Sequence, residues 1–251
     1  MRVVLLDLVR DLTHFIYPPL CIVCKSIRQN PDSEFCPTCA ESLSALAANP
    51  ACPRCAAPIP IGSACPFCHG AGIHPFEQIV ALGPFREPLR KMVHEMKYHH
   101  RWPLAETLAD RMLAEQRIRE LLDQTDVLVP TPLHWSRHIR RGYNQANSLA
   151  HRLARYRKTL IIASPIVRLK NTSAQTTVNS AADRAANLRF AFGLTNARAL
   201  SGKRIALVDD VLTTGSTLKA AARAIQDAGP ACISAIILAV ADPRRRDFHG
   251  V

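Results

Sequence analysis

Eight of the nine cysteines in this 251-residue chain form four Cys-x-x-Cys pairs within residues 21–68. The pairs are Cys21/Cys24, Cys36/Cys39, Cys52/Cys55 and Cys65/Cys68. One tight turn can aim two thiolates spaced in this way at a single metal ion, so four pairs predict two tetrahedral zinc sites. The simplest assignment joins consecutive pairs, and an interleaved assignment has compatible spacing.

Disulfides or an iron–sulfur cluster are the alternatives, but four regular pairs in a reducing compartment favour zinc ribbons. Four thiolates close the coordination shell, so both zinc ions are expected to be structural. They would hold together a segment of about 50 residues, too small to fold on its own core. Apolar residues at helical spacing before the first pair predict an amphipathic helix over residues 3–16. The ninth cysteine, Cys232, lies in an apolar run and is expected in the core.

The composition is that of a globular chain, with 48% hydrophobic and 21% charged residues. No segment has 18 uninterrupted apolar residues, which argues against a membrane span. The apolar run at residues 3–9 contains Asp7 and has no small-residue cleavage site after it, so a signal peptide is not expected. These features predict a cytoplasmic protein.

The net charge of +12 is unevenly distributed along the chain. Residues 1–75 carry five basic and five acidic side chains, whereas residues 127–208 carry 14 Lys and Arg against one acid, Asp183. An excess of this kind predicts a surface for a polyanion, either a small phosphorylated molecule or nucleic acid. We therefore divide the chain into residues 1–75, the helix and double zinc ribbon, and residues 76–251, a cationic domain.

Apolar runs and helical periodicities alternate after residue 76. Strands are predicted at residues 78–83, 126–129, 205–208 and 233–240, and helices near residues 89–96, 104–113, 143–157 and 217–228. This alternation predicts an α/β fold with a parallel sheet flanked by helices, and ligands at the carboxyl ends of the strands.

The most informative run of the chain covers residues 205–217, an apolar strand followed by Asp209, Asp210 and a turn rich in hydroxyls. Two carboxylates at a strand end can accept hydrogen bonds from vicinal hydroxyls or reach a magnesium ion. The turn opens a helix, and its backbone N–H groups and hydroxyls can cradle one phosphate. Together they suit a phosphorylated sugar. No Gly-Lys-Ser/Thr sequence is present there, so this is not a Walker A loop.

This run resembles the signature of the type I phosphoribosyltransferases across all its positions. The resemblance implies that Asp209 and Asp210 bind the ribose hydroxyls of phosphoribosyl pyrophosphate, which would be bound with Mg²⁺. It implies a site for the 5-phosphate in the turn that contains Thr213, Thr214, Gly215, Ser216 and Thr217.

Further blocks resemble one branch, the ComF (competence protein F) family, over residues 15–241. Residues 129–146 are similar to its pyrophosphate-loop region, which implies donor contacts from Thr131 and Arg141. A later block resembles its mobile hood, which implies catalytic roles for Arg168 and Lys170; the matching residues are Arg168, Lys170, Thr172, Gln175, Arg184 and Asn187. The double zinc ribbon before the transferase-like domain is also the arrangement of this family.

The ComF resemblance implies a role in natural transformation, with single-stranded DNA and competence-machinery proteins as partners. The alternative is an active phosphoribosyltransferase of nucleotide salvage, for which the sequence identifies no acceptor. Residues 21–75 contain only three Lys and Arg side chains, Lys25, Arg28 and Arg54. A DNA-binding surface is therefore expected on the transferase-like domain, and a structural or protein-docking role for the ribbons.

Overall fold

The structure is a computed structural model that describes residues 17–30, 33–60, 62–98, 101, 103–133, 139, 142–168 and 192–241. The helix predicted at residues 3–16 lies outside the described residues. The chain forms two compact units, Met1–Ala45 and Leu46–Val251. The first four-cysteine set falls in the first unit and the second set in the other. The functional division between residues 75 and 76 stays a prediction.

The regular elements of the described residues alternate between helices and strands. The helices are α1 (Pro37–Ala47), α2 (Leu89–Tyr98), α3 (Pro103–Ala114), α4 (Gln116–Asp123), α5 (Gln145–Ala154) and α6 (Ser216–Gln226). The strands are β1 (Ile79–Pro84), β2 (Val127–Pro130), β3 (Ile161–Ile162), β4 (Ile166–Arg168), β5 (Phe192–Leu194), β6 (Arg204–Leu212) and β7 (Cys232–Val240).

Five strands form a parallel sheet in the order β1-β7-β6-β2-β3, and β4 pairs with β5 in a separate antiparallel ribbon. The central strands are nearly continuous apolar runs because a parallel sheet is covered on both faces. The predicted parallel α/β fold is confirmed. Cys232 is the first residue of β7 and is only partly buried.

Strand β6 is longer than the sequence predicts. It continues through the acidic pair to Leu212, because its pairing with β7 extends from Asp209 opposite Ile237 to Leu212 opposite Val240. The carboxylates therefore lie inside the last part of the strand, and the turn begins at Thr213, four residues after Asp209.

The strand order reverses direction between β2 and β6. After β2 the chain passes through α5 to β3 on one side, and after β6 it passes through α6 to β7 on the other side. Helices that follow two such strands diverge, and they leave a crevice at the strand carboxyl ends where ligands bind in α/β proteins. Within the described ranges, no helix is both long and apolar enough to cross a membrane.

Candidate functional site

The eight paired cysteines form two clusters. The first cluster is Cys21, Cys24, Cys36 and Cys39, and the second cluster is Cys52, Cys55, Cys65 and Cys68. In each cluster the four sulfurs lie within 4.8 Å of one another, so consecutive pairs share a site. The Sγ atoms of Cys52 and Cys68 are 3.6 Å apart. A tetrahedron with Zn–S bonds of about 2.3 Å requires sulfurs about 3.8 Å apart, so these clusters fit structural zinc.

Three of the four pairs are shaped by the same turn. The residue after the second cysteine donates its backbone N–H to the carbonyl of the first, in Lys25 to Cys21, Ala56 to Cys52 and His69 to Cys65. These three residues have left-handed backbones, with φ of 64°, 57° and 48° respectively. The Cys36/Cys39 pair instead opens α1, where Ala40 N–H donates to the Cys36 carbonyl. His69 is thus a turn residue beside a complete set of thiolates.

The second cluster is tied to the first strand of the sheet. The backbone N–H of Ile79 donates to the carbonyl of Arg54 over 3.1 Å, and the Arg54 guanidinium donates to the carbonyl of Glu77 over 3.1 Å. Arg54 stands between Cys52 and Cys55, so the metal-binding turn contributes directly to the start of β1.

The acidic pair lies at the carboxyl end of β6, beside a buried cation. The Nζ of Lys97 lies 3.1 Å from Oδ1 of Asp210, and these side chains are only 7% and 14% exposed. The backbone N–H of Asp210 donates to Oδ1 of Asp209 over 2.9 Å. Burial raises the pKa of Asp209 to about 7, and the charge of Asp210 adds to this rise. The Asp210 N–H, Lys97 and Arg168 oppose the rise.

The turn after β6 depends on a glycine with a left-handed backbone. Gly215 has a φ of 72°, and a Cβ added there would lie 3.3 Å from Cδ1 of Leu212, so a larger residue would be strained and crowded. The hydroxyls of Thr214 and Ser216 are 2.8 Å apart, and Gly215 itself offers no side chain to cap α6. Thr213 is exposed, and Thr217 is half-buried in the first turn of that helix.

The other wall of the crevice is the end of β2 and the start of α5. Thr131 N–H donates to the Val208 carbonyl over 2.9 Å, which joins this wall to β6. The Asn144 side chain donates to the Thr131 carbonyl over 3.0 Å and accepts from Ala146 N–H over 3.1 Å, which caps α5. The Tyr143 hydroxyl donates to the Met96 carbonyl, beside Lys97. Residues 143–144 therefore fasten α2 to the crevice.

Two buried polar side chains on this wall have no hydrogen-bond partner among the described residues. They are the hydroxyl of Thr131, 4% exposed, and both amide atoms of Gln145, which is 0% exposed. A buried polar group without a partner lowers stability, so such groups concentrate where a water or ligand can satisfy them.

The structure brings together Asp209, Asp210, the turn at residues 213–217 and Thr131. Arg168 ends β4, with its guanidinium 5.6 Å from the centre of the Phe192 ring, and it acts electrostatically on Asp209. Arg141 and Lys170 lie outside the described residues.

Sequence reasoning missed Lys97 and Gln145 as site residues. Lys97 lies four residues after Val93, on the buried face of α2. A lysine at a position where the helical pattern predicts an apolar residue could have marked it as a candidate site residue. The sequence around Gln145 does not mark it as a site residue, because a single glutamine at the start of a helix is common.

Comparison with known families agrees with both parts of this architecture. Residues 101–249 match the phosphoribosyl transferase domain family, and residues 12–69 match the double zinc ribbon domain family. The chain is therefore a phosphoribosyltransferase-domain protein with an N-terminal double zinc ribbon.

Two relatives match a large part of the chain. Competence protein F of Haemophilus influenzae is 33% identical over 158 residues, covering 61% of this chain and 69% of its own. DNA utilization protein YhgH of Escherichia coli K12 is 30% identical over 217 residues, covering 85% of this chain and 87% of its own. The chain belongs to the competence protein F (ComF) family.

Among solved structures, the allosteric regulatory enzyme of purine biosynthesis is 18% identical, with a TM-score of 0.36. The match covers 58% of this chain and 30% of that one, and the likeness is too weak to add to the family assignment.

Proposed function

We propose that the crevice between β2 and β6 binds phosphoribosyl pyrophosphate or a closely related phosphosugar. The observation that carries the proposal is the continuous strand, turn and helix from β6 to α6, which holds two carboxylates and a hydroxyl-rich turn beside the strand-order reversal. A ribose phosphate has the matching pattern, since its vicinal hydroxyls donate hydrogen bonds and its phosphate accepts them.

Each group then has a defined task. Asp209 and Asp210 accept hydrogen bonds from the ribose hydroxyls, and the N–H groups and hydroxyls of residues 213–217 bind the 5-phosphate. The hydroxyl of Thr131, buried without a partner among the described residues, is available to the diphosphate. Arg141, Arg168 and Lys170 would supply positive charge at the diphosphate, where a leaving group gains negative charge.

Magnesium would enter with the diphosphate and neutralise part of its charge. Mg²⁺ is usually held by substrate phosphates together with one or two carboxylates and several waters. The hydroxyls of the crevice can add oxygen ligands to those of the diphosphate and of water, so the donor set is chemically compatible with the ion.

The test is calorimetric titration of the zinc-loaded protein with phosphoribosyl pyrophosphate and Mg²⁺. Asp209→Asn with Asp210→Asn should weaken binding by about 100-fold or more, because two charge-assisted hydrogen bonds are lost. The matched control is Asp227→Asn, at the exposed C-cap of α6, which should bind as the wild type does.

Zinc content should be the same in all three proteins. Undiminished binding by the double variant would reject the site assignment. Release of pyrophosphate when nitrogen bases are added would favour the alternative function, an active phosphoribosyltransferase.

We also propose that the protein acts in DNA handling, as the names of its relatives suggest, and that its substrate there is an incoming single strand. Part of the cationic excess is used internally, since Arg152 pairs with Asp110 and Arg204 with Asp126. Arg155 and Lys158, at the end of α5, are exposed and suited to phosphate contacts.

Fluorescence anisotropy with a labelled single strand tests this surface. Arg155→Glu with Lys158→Glu should weaken binding and reduce the slope of log affinity against log salt by roughly 1.4, about 0.7 for each lost phosphate contact. The control is Lys219→Glu with Arg223→Glu on α6, which changes the net charge of the protein by the same amount. Equal losses in both variants would count against a surface at the end of α5.

A further inference from the structure

The ammonium of Lys97 lies beside the acidic pair, in contact with Asp210. We infer that Lys97 makes Asp209 and Asp210 selective for a neutral vicinal diol and prevents them from forming a site for a free divalent cation. The proposed function supplies the identity of the diol, a ribose, but the metal exclusion is a property of the protein alone.

The first argument is the burial of the cation. Lys97 is 7% exposed, and its ammonium is 3.1 Å from Oδ1 of Asp210. A lysine this deeply buried is stable as a cation only beside a paired charge, and removal of one partner of a buried pair is costly. An incoming metal ion would have to separate this pair and leave the ammonium buried without its carboxylate.

The second argument is that the end of α2 is anchored. The Tyr143 hydroxyl donates to the carbonyl of Met96, the residue before Lys97. The adjacent Asn144 is fastened to the Thr131 carbonyl and caps α5. The backbone that carries Lys97 is therefore held against the crevice, which keeps its ammonium beside the acidic pair.

The third argument is the number of oxygens that remain for a ligand. Of the four carboxylate oxygens, Oδ1 of Asp210 accepts from Lys97 and Oδ1 of Asp209 accepts from the Asp210 N–H. Within the part of the chain that the structure describes, one oxygen of each residue remains for a ligand, which matches two hydroxyl donors of a vicinal diol. A protein site for a free divalent ion usually combines more oxygen ligands and a larger negative charge than this.

The net charge of the cluster points the same way. Two ionised carboxylates and one ammonium sum to a single negative charge, and the raised pKa of Asp209 reduces it further near neutral pH. Neutral hydroxyls do not require that charge, whereas a divalent ion depends on it.

The experiment uses Mn²⁺ alone as a paramagnetic probe of the zinc-loaded full-length protein, at about pH 8, one unit above the pKa of Asp209, about 7. In the wild type, Mn²⁺ should leave the amide signals of Asp209 and Asp210 unbroadened. Lys97→Gln should create a saturable Mn²⁺ site, with an affinity at least about tenfold higher than any Mn²⁺ binding by the wild type. The reason is that the substitution removes the positive charge that lies a few ångströms from the carboxylates.

Three further variants make the result specific. Lys97→Arg retains the charge and should behave as the wild type does, and Lys97→Gln combined with Asp210→Asn should lose the new site. Arg90→Gln removes an exposed charge from the same helix and should have no effect.

Saturable Mn²⁺ binding that broadens the acidic pair in the wild type would overturn the inference, and this result needs no variant to fold. A well-folded Lys97→Gln protein that gains no Mn²⁺ site would overturn it as well. Failure of the wild type to bind phosphoribosyl pyrophosphate would reject the proposed function and leave the Mn²⁺ result unchanged, so the two failures are distinguishable.

Discussion

The second cysteine cluster and the acidic crevice lie in the same compact unit, but the chain builds them in opposite ways. The cluster takes all four ligands from residues 52–68, and local turns aim them. The crevice gathers Lys97, Thr131, Gln145 and Asp210 from four separate elements of the chain. A change in the cluster should therefore alter folding, whereas a change in the crevice should mainly alter what the protein binds.

The largest effect is expected from Cys52→Ser with Cys55→Ser in the second cluster. The turn between these cysteines holds β1 through Arg54 and Ile79, and binding of a structural zinc is itself part of the folding free energy. We expect the loss of one zinc and a destabilisation of the sheet unit of about 4 kcal/mol or more. Zinc analysis and thermal unfolding followed by circular dichroism measure the two effects.

The matched variant is Cys21→Ser with Cys24→Ser in the first cluster, which belongs to the other compact unit. It should also lose one zinc, yet the main unfolding transition of the sheet unit should stay close to that of the wild type. Equal destabilisation by both pairs of substitutions would show that the two clusters support the fold to the same degree.

The contributions of the two regions to stability should change in opposite directions as the pH changes. Zinc thiolates require deprotonated cysteines, so the clusters lose stability as pH falls. Asp209 behaves in the reverse sense, since its pKa is raised by burial to about 7 from 3.8. Between these values the folded state retains a proton that the unfolded state has released, so its contribution to stability falls as pH rises.

Asp209→Asn isolates the contribution of the crevice. The melting temperature of this variant relative to the wild type should rise from about pH 5 to about pH 7 and then level off, because the asparagine carries no charge to bury and above the folded pKa of Asp209 neither state retains the proton. A constant difference across that range would mean that Asp209 titrates with an ordinary pKa in the folded protein.

The sequence predicted one region better than the other for a physical reason. Cysteine spacing determines the turn geometry directly, and an apolar run followed by two acids marks a strand and its functional end. The length of β6 could not be predicted, because it depends on pairing with β7 through Leu212. The Lys97 to Asp210 ion pair spans more than 100 positions of sequence and exists only because α2 is packed beside the end of β6.

The smallest expected change in stability is at Gln145. It is also the sharpest test of whether the residues of the crevice serve binding more than stability. Its amide is 0% exposed and has no partner among the described residues, so Gln145→Met should stabilise the protein by about 1 kcal/mol, a rise of roughly 2–4 °C in melting temperature. Asn144→Ala is the neighbouring control with the opposite sign, since loss of the α5 cap should cost about 1 kcal/mol.

Calorimetry should also show weaker phosphosugar binding by Gln145→Met, because the amide is then a ligand contact held at the expense of stability. If the methionine variant is destabilised instead, a buried water already satisfies the amide and Gln145 belongs to the framework of the fold.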